Sequence, residues 1–517
     1  MKKNGKRLKY IFVAGGVVSG VGKGIASSSI AKILQSRGFE VTAAKIDPYV
    51  NVDAGTMNPT EHGEVFVLDD GMECDQDMGN YERFLNRNLT RANYMTTGSV
   101  YFSVISKERN LAYGGKCVEV VPQVPLEVIE NLDKAAEKTK ADIIITEIGG
   151  TVGEYQNILF LEAVRMLRLK KPKDVLLILV SYLPALSEKG ESKTKPTQYA
   201  VRTLNATGLH PDLIIARAKA PLDKKRKEKI ALNCSVGETD IISAPDVENI
   251  YEVPINFEKD ELGKKILEKL NLRARKRNLK DWRRLVKKMR MAMAPVKIGI
   301  VGKYFATGDA VLTDSYISVI EAVRCAAFKL NRKPAIEWLN AEDFEPAKSS
   351  GWRNNLKKIK KCNGVIVPGG FGGRGAEGKI QATKFCRENK IPFLGLCYGM
   401  QLAVLEFARN VAGMKNANTT EIDKNTKYPV IDILPEQKKN LAGKNYGATM
   451  RLGAYPAKIL RNTLARSLYK TDSISERHRH RYEVNPIYVS KLKERGIVFS
   501  GLSPDGRLME IMELPRG

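Results

Sequence analysis

The stretch GGVVSGVGKG, residues 15–24, lies between the apolar run YIFVA and the helical pattern IASSSIAKIL. Glycines in such a strand–turn–helix unit let backbone N–H groups approach phosphate oxygens, and the helix N-terminus adds a partial positive charge. Lys23 can neutralise the β- and γ-phosphates of a bound nucleotide. The stretch therefore predicts a phosphate-binding loop at the start of an α/β domain; the alternative is a tight turn that carries a surface lysine.

Two positions of this loop differ from the usual P-loop pattern G-x-x-x-x-G-K-[ST]. Val17 stands in place of the first glycine, and Gly24 replaces the Ser or Thr that would bind magnesium. Two distant acids can replace that hydroxyl. Asp77 ends the acidic stretch DDGMECDQD, and Glu147 ends the apolar run ADIIITE, at the carboxyl edge where doubly wound sheets bind ligands. Because Mg²⁺ prefers a few carboxylates plus phosphate oxygens, we expect these two acids to hold it. The alternative for Asp77 is a solvated loop acid.

The order of apolar runs along the chain predicts two doubly wound α/β domains. In the first half, short runs rich in β-branched residues alternate with amphipathic segments; these runs are KYIFVAGG, FEVTAAKID, ADIIITEIGG, DVLLILVSYL and PDLIIARA. The pattern restarts with KIGIVGKY, AIEWLN, CNGVIVPGG and PFLGLCYG. We expect a first domain over residues 1–272, a basic linker helix over 273–295 and a second domain over 296–517.

The net charge of +27 is spread along the 517 residues. Its densest block, RARKRNLKDWRRLVKKMR at residues 273–290, carries apolar residues close to helical spacing. The block therefore predicts an amphipathic linker helix, because a nucleic-acid surface would interleave aromatic residues with a concentrated basic face. A general surplus of Lys and Arg suits anionic small-molecule ligands.

Membrane and disulfide classes are also disfavoured. No apolar run approaches the roughly 18 residues that suggest a membrane span, and the N-terminus lacks the apolar segment of a signal peptide. The seven cysteines are scattered and form no CxxC pair. We therefore expect a cytoplasmic protein with no membrane or nucleic-acid partner, no disulfide framework and no zinc knuckle.

The stretch KTKPTQYAVRTL, residues 193–204, predicts a second anion site. Lys193 and Lys195 flank Thr194, and Pro196 marks the start of a helix whose N-terminus can bind phosphate. The alternative is a basic loop before a helix. A chain with two such sites could phosphorylate one nucleotide with another.

In the second half, PFLGLCYGMQLAVLEFA places Cys397 between Gly395 and Gly399, after an apolar strand and before a helix. This is the nucleophile-elbow arrangement with sulfur in place of oxygen. A helix N-terminus lowers the pKa of a thiol and favours the nucleophilic thiolate. The stretch VPGGFGGRG, residues 367–375, offers backbone N–H groups for an oxyanion hole. The other six cysteines are interpreted as buried and structural.

The chain closely resembles the CTP synthase family in the segments YIFVAGGVVSGVGKG, KIDPYVNVDAGTMNPTEHGEVFVLDDG, EIGGTVGE, KTKPTQ, PGGFGGRGAEGKI, CYGMQ, NANTTE and RHRHRYEVNP. The resemblance implies an amidoligase domain joined to a class I glutaminase domain. It also implies that UTP is converted to CTP with ATP, Mg²⁺ and ammonia from glutamine, in pyrimidine nucleotide biosynthesis. Family members use GTP as an activator and CTP as a feedback inhibitor, and usually form homotetramers.

The resemblance also implies roles for residues at matching positions. The ATP contacts would be Gly20, Val21, Gly22, Lys23, Gly24, Ile25 and Asp77, with Pro245, Asp246 and Val247 near the adenine. The UTP or CTP contacts would be Ser19, Glu154, Tyr155, Gln156, Lys193, Thr194, Lys195, Pro196, Thr197, Gln198 and Lys229. The glutamine contacts would be Gly370, Tyr398, Gly399, Met400, Gln401, Glu421 and Arg481, with Cys397 as nucleophile. Asp77 and Glu147 would hold the metal. The triplet at 154–156 departs from the Asp-Ile-Glu-like triplet that the family often carries.

A further departure concerns the base for Cys397. The family carries its histidine and glutamate in an H-P-E-like motif near the C-terminus, whereas this sequence ends in EIMELPRG before such a motif. The four histidines are His62, His210, His478 and His480, and the last two belong to the substrate segment RHRHRYE. Neither is assigned as the base. We therefore expect either a truncated chain or an impaired glutaminase, and CTP synthesis from ammonia rather than from glutamine.

Two other functions are compatible with parts of the sequence. One is a different P-loop amidoligase or ATPase, of the dethiobiotin-synthetase kind, with a silent glutaminase-like domain. The segment KTKPTQ and the pair Asp77–Glu147 argue against it, because they supply a second nucleotide site. The other is a filament or scaffold role, which would leave the phosphate loop and the acids without a purpose.

Overall fold

The computed structural model describes residues 7–185, 191–276, 278–304, 306–307, 310–434, 437, 443 and 447–515. The chain divides into two compact units. The first unit comprises Met1–Ala54 and Asp77–Lys287, and the second comprises Gly55–Gln76 and Lys288–Gly517. The division after Lys287 falls inside the expected linker. The grouping of Gly55–Gln76 with the second half was not anticipated from the sequence.

The first unit is built on one parallel sheet with strand order β5-β2-β6-β1-β7-β8-β9. Its strands are β1 (Lys9–Gly16), β2 (Val41–Asp47), β5 (Tyr94–Thr96), β6 (Ile143–Ile148), β7 (Val175–Tyr182), β8 (Leu213–Ala218) and β9 (Ile241–Pro245). Its helices are α1 (Lys23–Ser36), α3 (Asp77–Leu85), α4 (Thr97–Arg109), α5 (Val120–Thr139), α6 (Ile158–Lys170), α7 (Lys195–Ala206), α8 (Lys224–Cys234), α9 (Val253–Phe257) and α10 (Leu262–Lys269).

The central strands of this sheet are apolar along their whole length because helices cover both faces of a doubly wound sheet. Every residue of β1, β2 and β6 is buried. The main core cluster joins alternate side chains of these strands, such as Phe12 and Ile144, to apolar residues of the helices, such as Val128 and Val164. The doubly wound α/β fold predicted from the first half is confirmed.

The segment Gly55–Gln76 lies between β2 and α3 along the chain. It contains α2 (Pro59–His62) and the hairpin of β3 (Val65–Val67) and β4 (Glu73–Asp75). Within the second unit, Glu73 accepts a hydrogen bond from Arg479 at 2.6 Å, and Asp69 accepts one from Arg477 at 2.5 Å. These charged pairs explain why a segment from the N-terminal half belongs to the second unit.

The second unit contains a parallel sheet of order β13-β10-β14-β15 and two further sheets, β16-β17-β20 and β19-β18-β21-β22. Its strands are β10 (Pro295–Gly302), β11 (Ala306–Thr307), β12 (Ala310–Val311), β13 (Lys333–Asn340), β14 (Gly364–Val367), β15 (Phe393–Gly395), β16 (Ala417–Thr419), β17 (Tyr428–Ile433), β18 (Arg451–Ile459), β19 (Ser473–His480), β20 (Tyr482–Val484), β21 (Val498–Leu502) and β22 (Met509–Glu513). Its helices are α12 (Ile317–Lys329), α13 (Trp352–Leu356), α14 (Ala376–Glu388), α15 (Tyr398–Asn410), α16 (Leu464–Tyr469) and α17 (Pro486–Glu494). Helix α15 packs into a core with Leu402, Leu405, Val430 and Phe499.

The predicted linker helix is present as α11 (Lys280–Met291). Trp282, Val286 and Met289 are buried, as their helical spacing predicts, while Leu285 stays 38% exposed. Trp282 donates its indole N–H to the Tyr251 carbonyl at 2.8 Å. Trp282 therefore attaches the start of α11 to the first unit. Arg277 of that block lies outside the described residues.

None of the helices in the described part of the chain is long and apolar enough to cross a membrane. All seven cysteines are free. Cys117 and Cys325 are exposed, so the interpretation of both as buried structural cysteines is wrong; Cys74, Cys234, Cys362 and Cys386 are buried as expected.

Candidate functional site

The phosphate-loop candidate connects β1 to α1. Its backbone requires glycine at Gly20 and Gly22, which have φ values of 71° and 90°. Lys23 folds back over the loop and donates to the Gly150 carbonyl at 2.8 Å. A Cβ on Gly15 would lie 2.8 Å from the Lys23 side chain, so glycine there makes room for it. The loop thus brings an ammonium group to the carboxyl edge of the sheet.

Asp77 explains why Gly24 replaces the usual hydroxyl residue. A Cβ built on Gly24 would lie 1.9 Å from Oδ1 of Asp77, so no side chain fits at position 24. The carboxylate of Asp77, at the first residue of α3, therefore occupies the space that a Ser or Thr side chain would take in an ordinary P-loop. This placement excludes the alternative of a solvated loop acid.

Asp77 and Glu147 converge on one cation. Nζ of Lys45 lies 2.5 Å from Oδ2 of Asp77 and 2.8 Å from Oε1 of Glu147, with Oδ1 of Asp47 at 3.8 Å. Tyr81 donates its hydroxyl to the other oxygen of Glu147. Sequence reasoning missed Lys45, Asp47 and Tyr81. One feature of the sequence could have revealed this cluster: Lys45 is a charged residue inside the otherwise mostly apolar run VTAAKID, which forms the buried strand β2.

The charged groups of this cluster shift one another's pKa values. Burial works against ionisation of Asp77, but the charge and hydrogen bond of Lys45 lower its pKa overall. Burial raises the pKa of Glu147, and the nearby Asp77 carboxylate adds to the effect. Burial lowers the pKa of Lys23, against the opposing charge of Glu147. In the described residues no group of three or more His, Cys, Asp or Glu side chains could hold a metal by itself. A metal here would therefore take two carboxylates and further ligands from phosphate, as Mg²⁺ does.

An adjacent cavity of about 260 Å³ lies beside the loop. Its lining includes the candidates Gly22 and Ile25 together with the three positions expected near the adenine, Pro245, Asp246 and Val247. Most of the lining is apolar. Arg217, which the sequence did not single out, also lines the cavity. Its Nη2 lies 2.6 Å from the Asp246 carboxylate, and its Nη1 donates to the Val21 carbonyl at 3.2 Å. Arg217 thus links the phosphate-loop residue Val21 to Asp246, which lines the cavity.

The segment expected to bind the pyrimidine nucleotide contains both structural and exposed side chains. Helix α7 begins at Lys195 with Pro196 in its first turn. Thr197 is buried and its hydroxyl lies 2.8 Å from that of Ser181 at the end of β7, so it anchors the helix. Gln198 donates to the Thr194 hydroxyl at 3.1 Å.

The remaining candidates of this group lie at the surface. Lys193, Lys195, Lys229, Tyr155, Gln156 and Ser19 are exposed. The pKa of Glu191 is lowered, first by a hydrogen bond from Lys193 and further by the charges of Arg226 and Lys229. Lys193 and Lys229 therefore act on the same carboxylate. Glu154 instead folds back and accepts the Thr151 amide at 2.9 Å.

In the second unit, Cys397 lies at a strained elbow between β15 and α15. Its φ of 54° and ψ of −112° are unusual for a residue with a side chain. A Cβ on Gly399 would lie 1.9 Å from the Val367 carbonyl oxygen, and a Cβ on Gly395 would lie 2.7 Å from the Gly399 carbonyl carbon. The predicted elbow is therefore present, and both glycines are required by backbone contact as well as by the turn.

The structure brings His480 next to Cys397, a contact that the sequence did not lead us to expect. His480 lies at the end of β19 and hydrogen-bonds the Cys397 thiol. Its Nδ1 lies 3.0 Å from Oε1 of Glu483, and the Glu483 carboxylate is 3.1 Å from Arg451. The sequence pattern could not show this, because His480 follows Cys397 by 83 residues and lies on a different sheet from β15. This geometry offers Cys397 a candidate base in His480, with Glu483 in a position to orient the imidazole ring.

The pKa values in this triad favour an ion pair. Burial raises the pKa of the Cys397 thiol, but the charge and hydrogen bond of His480 and a hydrogen bond from the Tyr398 amide outweigh it, so the net pKa is lowered. Burial disfavours the charged form of His480, yet the charges of Cys397 and Glu483 raise its pKa well above the ordinary value. The arrangement stabilises thiolate and imidazolium together.

The candidates for glutamine binding line the region around Cys397. Glu421 accepts the Gly372 amide at 2.7 Å, and Tyr398 donates its hydroxyl to the Gly372 carbonyl at 3.1 Å. Burial raises the pKa of Glu421, while the charge of Arg481 opposes the rise. Arg481 donates to the side chain of Gln437 at 3.1 Å.

Two further predicted contacts, Gln401 and Met400, are on α15. Gln401 is buried and donates its side-chain amide to the Tyr482 carbonyl at 2.7 Å, so it supports the strand that follows His480. Met400 is half-buried at the edge of the core. Gly370 lies in the glycine-rich stretch, where Lys303 and Tyr304 approach it closely.

Comparison with known proteins agrees with both halves of this description. Residues 9–272 match the family described as CTP synthase N-terminus, and residues 311–516 match glutamine amidotransferase class-I. A CTP synthase of Pyrococcus furiosus is 50% identical over 509 residues, 98% of this chain and 92% of that protein. A CTP synthase of Methanocaldococcus jannaschii is 49% identical over 512 residues, 99% of this chain and 93% of that protein.

Among solved structures, the glutaminase domain of Trypanosoma brucei CTPS with bound acivicin is 33% identical, with 42% of this chain and 79% of that chain covered and a TM-score of 0.37. The family match over residues 9–272 and the near-complete alignments at about half identity agree with each other. This chain therefore belongs to the CTP synthase family.

Proposed function

We propose that this chain aminates UTP to CTP with ATP, through the residues described above. Members of the family are carbon–nitrogen ligases of pyrimidine biosynthesis that join an amidoligase to a glutamine amidotransferase. The observation that carries the assignment of residues is the convergence of Asp77 and Glu147 on a single cation beside Lys23. It supports a site that binds a triphosphate and a divalent metal.

In the first step, the O4 oxygen of UTP attacks the γ-phosphorus of ATP and ADP leaves. The backbone of residues 20–25 and the Lys23 ammonium hold the phosphates, and the apolar cavity next to Pro245–Val247 takes the adenine. Asp77 and Glu147 fit Mg²⁺, which would screen the phosphate charge when bound. Ammonia then adds at C4 of the phosphorylated pyrimidine, and inorganic phosphate departs. The phosphorylation is needed because the O4 oxygen alone is a poor leaving group.

The second unit supplies the ammonia. Cys397 attacks the side-chain carbonyl of glutamine, and His480 transfers a proton to the departing ammonia. Backbone N–H groups of Gly370 and Tyr398 stabilise the oxyanion. Water then hydrolyses the thioester and releases glutamate. Glu421 and Arg481 carry opposite charges next to the elbow, as the ammonium and carboxylate of glutamine require.

The exposed lysines Lys193, Lys195 and Lys229 suit the phosphates of UTP or of inhibitory CTP, with Ser19 and residues 154–156 completing that contact. GTP activation, CTP inhibition, a homotetramer and a cytoplasmic location belong to the same proposal. Free cysteines throughout the chain support a reducing compartment.

A paired assay tests the function. Protein, UTP, ATP and Mg²⁺ are mixed with either ammonium chloride or glutamine, and CTP is measured by chromatography. We expect CTP from both nitrogen sources. Cys397→Ala should abolish the glutamine reaction and retain the ammonia reaction. Asp77→Asn should suppress both.

Absence of CTP from either source would overturn the assignment and favour another P-loop amidoligase. CTP from ammonia only, in the unsubstituted chain, would reject His480 as a working base and restore the expectation of an impaired glutaminase.

A further inference from the structure

Lys379 is a buried lysine for which neither half-reaction has a use. It lies on α14, and its side chain is completely excluded from solvent. Its Nζ donates to the Pro368 carbonyl at 2.8 Å and to the Gly369 carbonyl at 3.3 Å. No carboxylate of the described residues lies within 4.0 Å of this ammonium group. A buried ammonium without an ionic partner is costly, so its presence calls for an explanation.

A second lysine contacts the next residues of the same stretch. Residues 368–372, PGGFG, are called the glycine loop here. Nζ of Lys303 donates to the carbonyls of Phe371 and Gly372, the latter at 3.1 Å. Burial lowers the pKa of Lys303 to about 8. The two ammonium groups thus engage four carbonyls of the glycine loop, two on each side of Gly370.

This arrangement determines where the amides of the glycine loop point. The Phe371 amide donates to the Tyr304 hydroxyl at 3.0 Å, and the Gly372 amide donates to Glu421. Within the described residues the Gly370 amide has no acceptor. Gly369 is adjacent to the nucleophile, because a Cβ on it would lie 3.6 Å from Sγ of Cys397. The carbonyls on both sides of Gly370 therefore accept from lysines, while the Gly370 amide, one residue after Gly369, has no acceptor among the described residues.

The Cys397 charge acts on Lys379, and during glutamine hydrolysis negative charge forms at Cys397 as the thiolate and then next to it as the oxyanion. We propose that Lys379 is a positioning residue of the glutaminase, which fixes the glycine loop through its two carbonyls and stabilises negative charge at Cys397. The proposal rests on the proposed glutaminase function of Cys397. It assigns Lys379 no contact with glutamine.

The charges around these two groups agree with that role. The pKa of Lys379 is lowered to about 7, chiefly by burial and also by the charge of the neighbouring Lys303, while Cys397 opposes both effects. The groups that face Cys397 or Lys379 from the packed elements are His480, Glu483, Lys303 and the Tyr398 ring, whose centroid is 5.8 Å from the Lys379 ammonium. Removal of the Lys379 charge therefore raises the pKa of the thiol.

The test measures Cys397 directly as well as turnover. Iodoacetamide alkylation of the tryptic peptide of residues 391–409 is followed by mass spectrometry between pH 5 and 10 in the full chain. In Lys379→Met, we expect the midpoint of alkylation to rise by about 0.5–1 pH unit and glutaminase kcat to fall about tenfold, with little change in KM. Ammonia-dependent CTP synthesis should stay within about twofold of the unsubstituted chain, which shows that the variant folds.

Two further variants separate charge from hydrogen bonding. Lys379→Gln keeps a donor for one carbonyl without the charge, so the shift in alkylation midpoint should persist while kcat recovers in part. Lys384→Met, at a half-buried lysine on the same helix, should change neither quantity. An unchanged alkylation profile and unchanged kcat in Lys379→Met would overturn the proposal. If the unsubstituted chain hydrolyses no glutamine, the glutaminase function fails, and the alkylation midpoints still decide the role of Lys379.

Discussion

Two strand–turn–helix junctions, one in each unit, balance buried charge in opposite ways. At the β1–α1 junction, the carboxylates of Asp77 and Glu147 meet the ammonium of Lys45 at 2.5 and 2.8 Å. Beside the β15–α15 junction, the ammonium groups of Lys303 and Lys379 are held by backbone carbonyls of the glycine loop, which follows β14. The first site contains two carboxylates, of Asp77 and Glu147, that share the ammonium of Lys45 and could bind another cation in its place. The second keeps cations beside the Cys397 thiolate and beside the oxyanion that forms when Cys397 reacts.

The difference indicates what each junction is prepared to bind. A pair of acids bridged by a lysine can exchange that ammonium for a divalent metal carried by a triphosphate. A cluster of cations around a thiol stabilises a thiolate and an oxyanion, because electrostatic preorganisation acts most strongly where charge develops. Both junctions place a helix N-terminus next to the reacting group, yet the surrounding side chains select opposite charges.

The largest effect is expected from removing one acid of the first junction. Glu147→Gln removes the charge but retains the hydrogen bond from Tyr81, so ammonia-dependent CTP synthesis should fall by about 10²–10³-fold. Glu127→Gln is the matched control, since Glu127 is an equally buried acid of the same unit that pairs with Lys107. Equal losses in the two variants would show that only folding, and not metal binding, depends on Glu147.

The second prediction concerns the base at the elbow. The lowered pKa of Cys397 and the raised pKa of His480 mean that the thiolate persists below the ordinary thiol pKa and is lost only as the pH falls through the lowered value. His480→Gln should move the alkylation midpoint of Cys397 upward and reduce glutamine-dependent kcat by about 10²-fold.

His478→Gln is the control for that prediction, because His478 lies on the same strand and bonds Glu510 at 2.8 Å. Its alkylation midpoint should match that of the unsubstituted chain. A glutaminase that survives His480→Gln would remove His480 from the mechanism and leave its contact with Cys397 structural.

The third prediction tests whether the Asp77 carboxylate takes the place of the Ser or Thr hydroxyl that an ordinary P-loop has at position 24. Gly24→Ser restores the ordinary P-loop residue but forces a Cβ into Asp77, so ammonia-dependent activity should decrease by about tenfold and the Mg²⁺ requirement should increase. Ser29→Ala, on the same helix, removes a buried hydroxyl with no partner among the described residues and should have little effect. Full activity in Gly24→Ser would show that position 24 tolerates a side chain.

The smallest effect is a change in thermal stability. Lys45→Met leaves Asp77 and Glu147 without their shared cation, so Mg²⁺ with ATP should raise the melting temperature by about 2–4 °C more than in the unsubstituted chain. Lys9→Met removes the buried Lys9–Asp174 pair of the same sheet and should show no extra metal effect. Equal Mg²⁺ responses in both variants would contradict a metal site at Lys45.

The strands, the P-loop-like turn and the cysteine elbow could be predicted because each depends on neighbouring residues. The run ADIIITE predicts a buried strand ending in Glu147, and the observed strand β6 is buried and includes Glu147 as its second-last residue. The spacing of Gly395, Cys397 and Gly399 predicts the elbow by local geometry alone. The helical spacing of Trp282, Val286 and Met289 predicts α11 in the same way.

The missed residues depend on distant parts of the chain. Nothing in VTAAKID shows that Lys45 meets acids from β6 and α3, and nothing in RHRHRYE shows that His480, rather than His478, reaches Cys397. Lys379 reads as an ordinary residue of an amphipathic helix until its burial beneath the glycine loop is known.

The sequence by itself determined the doubly wound class, the two junctions and the family, because hydrophobic periodicity and glycine spacing act over a few residues. Tertiary structure alone decided which charges meet: Lys45 with Asp77 and Glu147, His480 with Cys397, and Lys379 with the glycine loop. Electrostatic contacts depend on distance in space, and in both units those distances are fixed by strands and helices far apart along the chain.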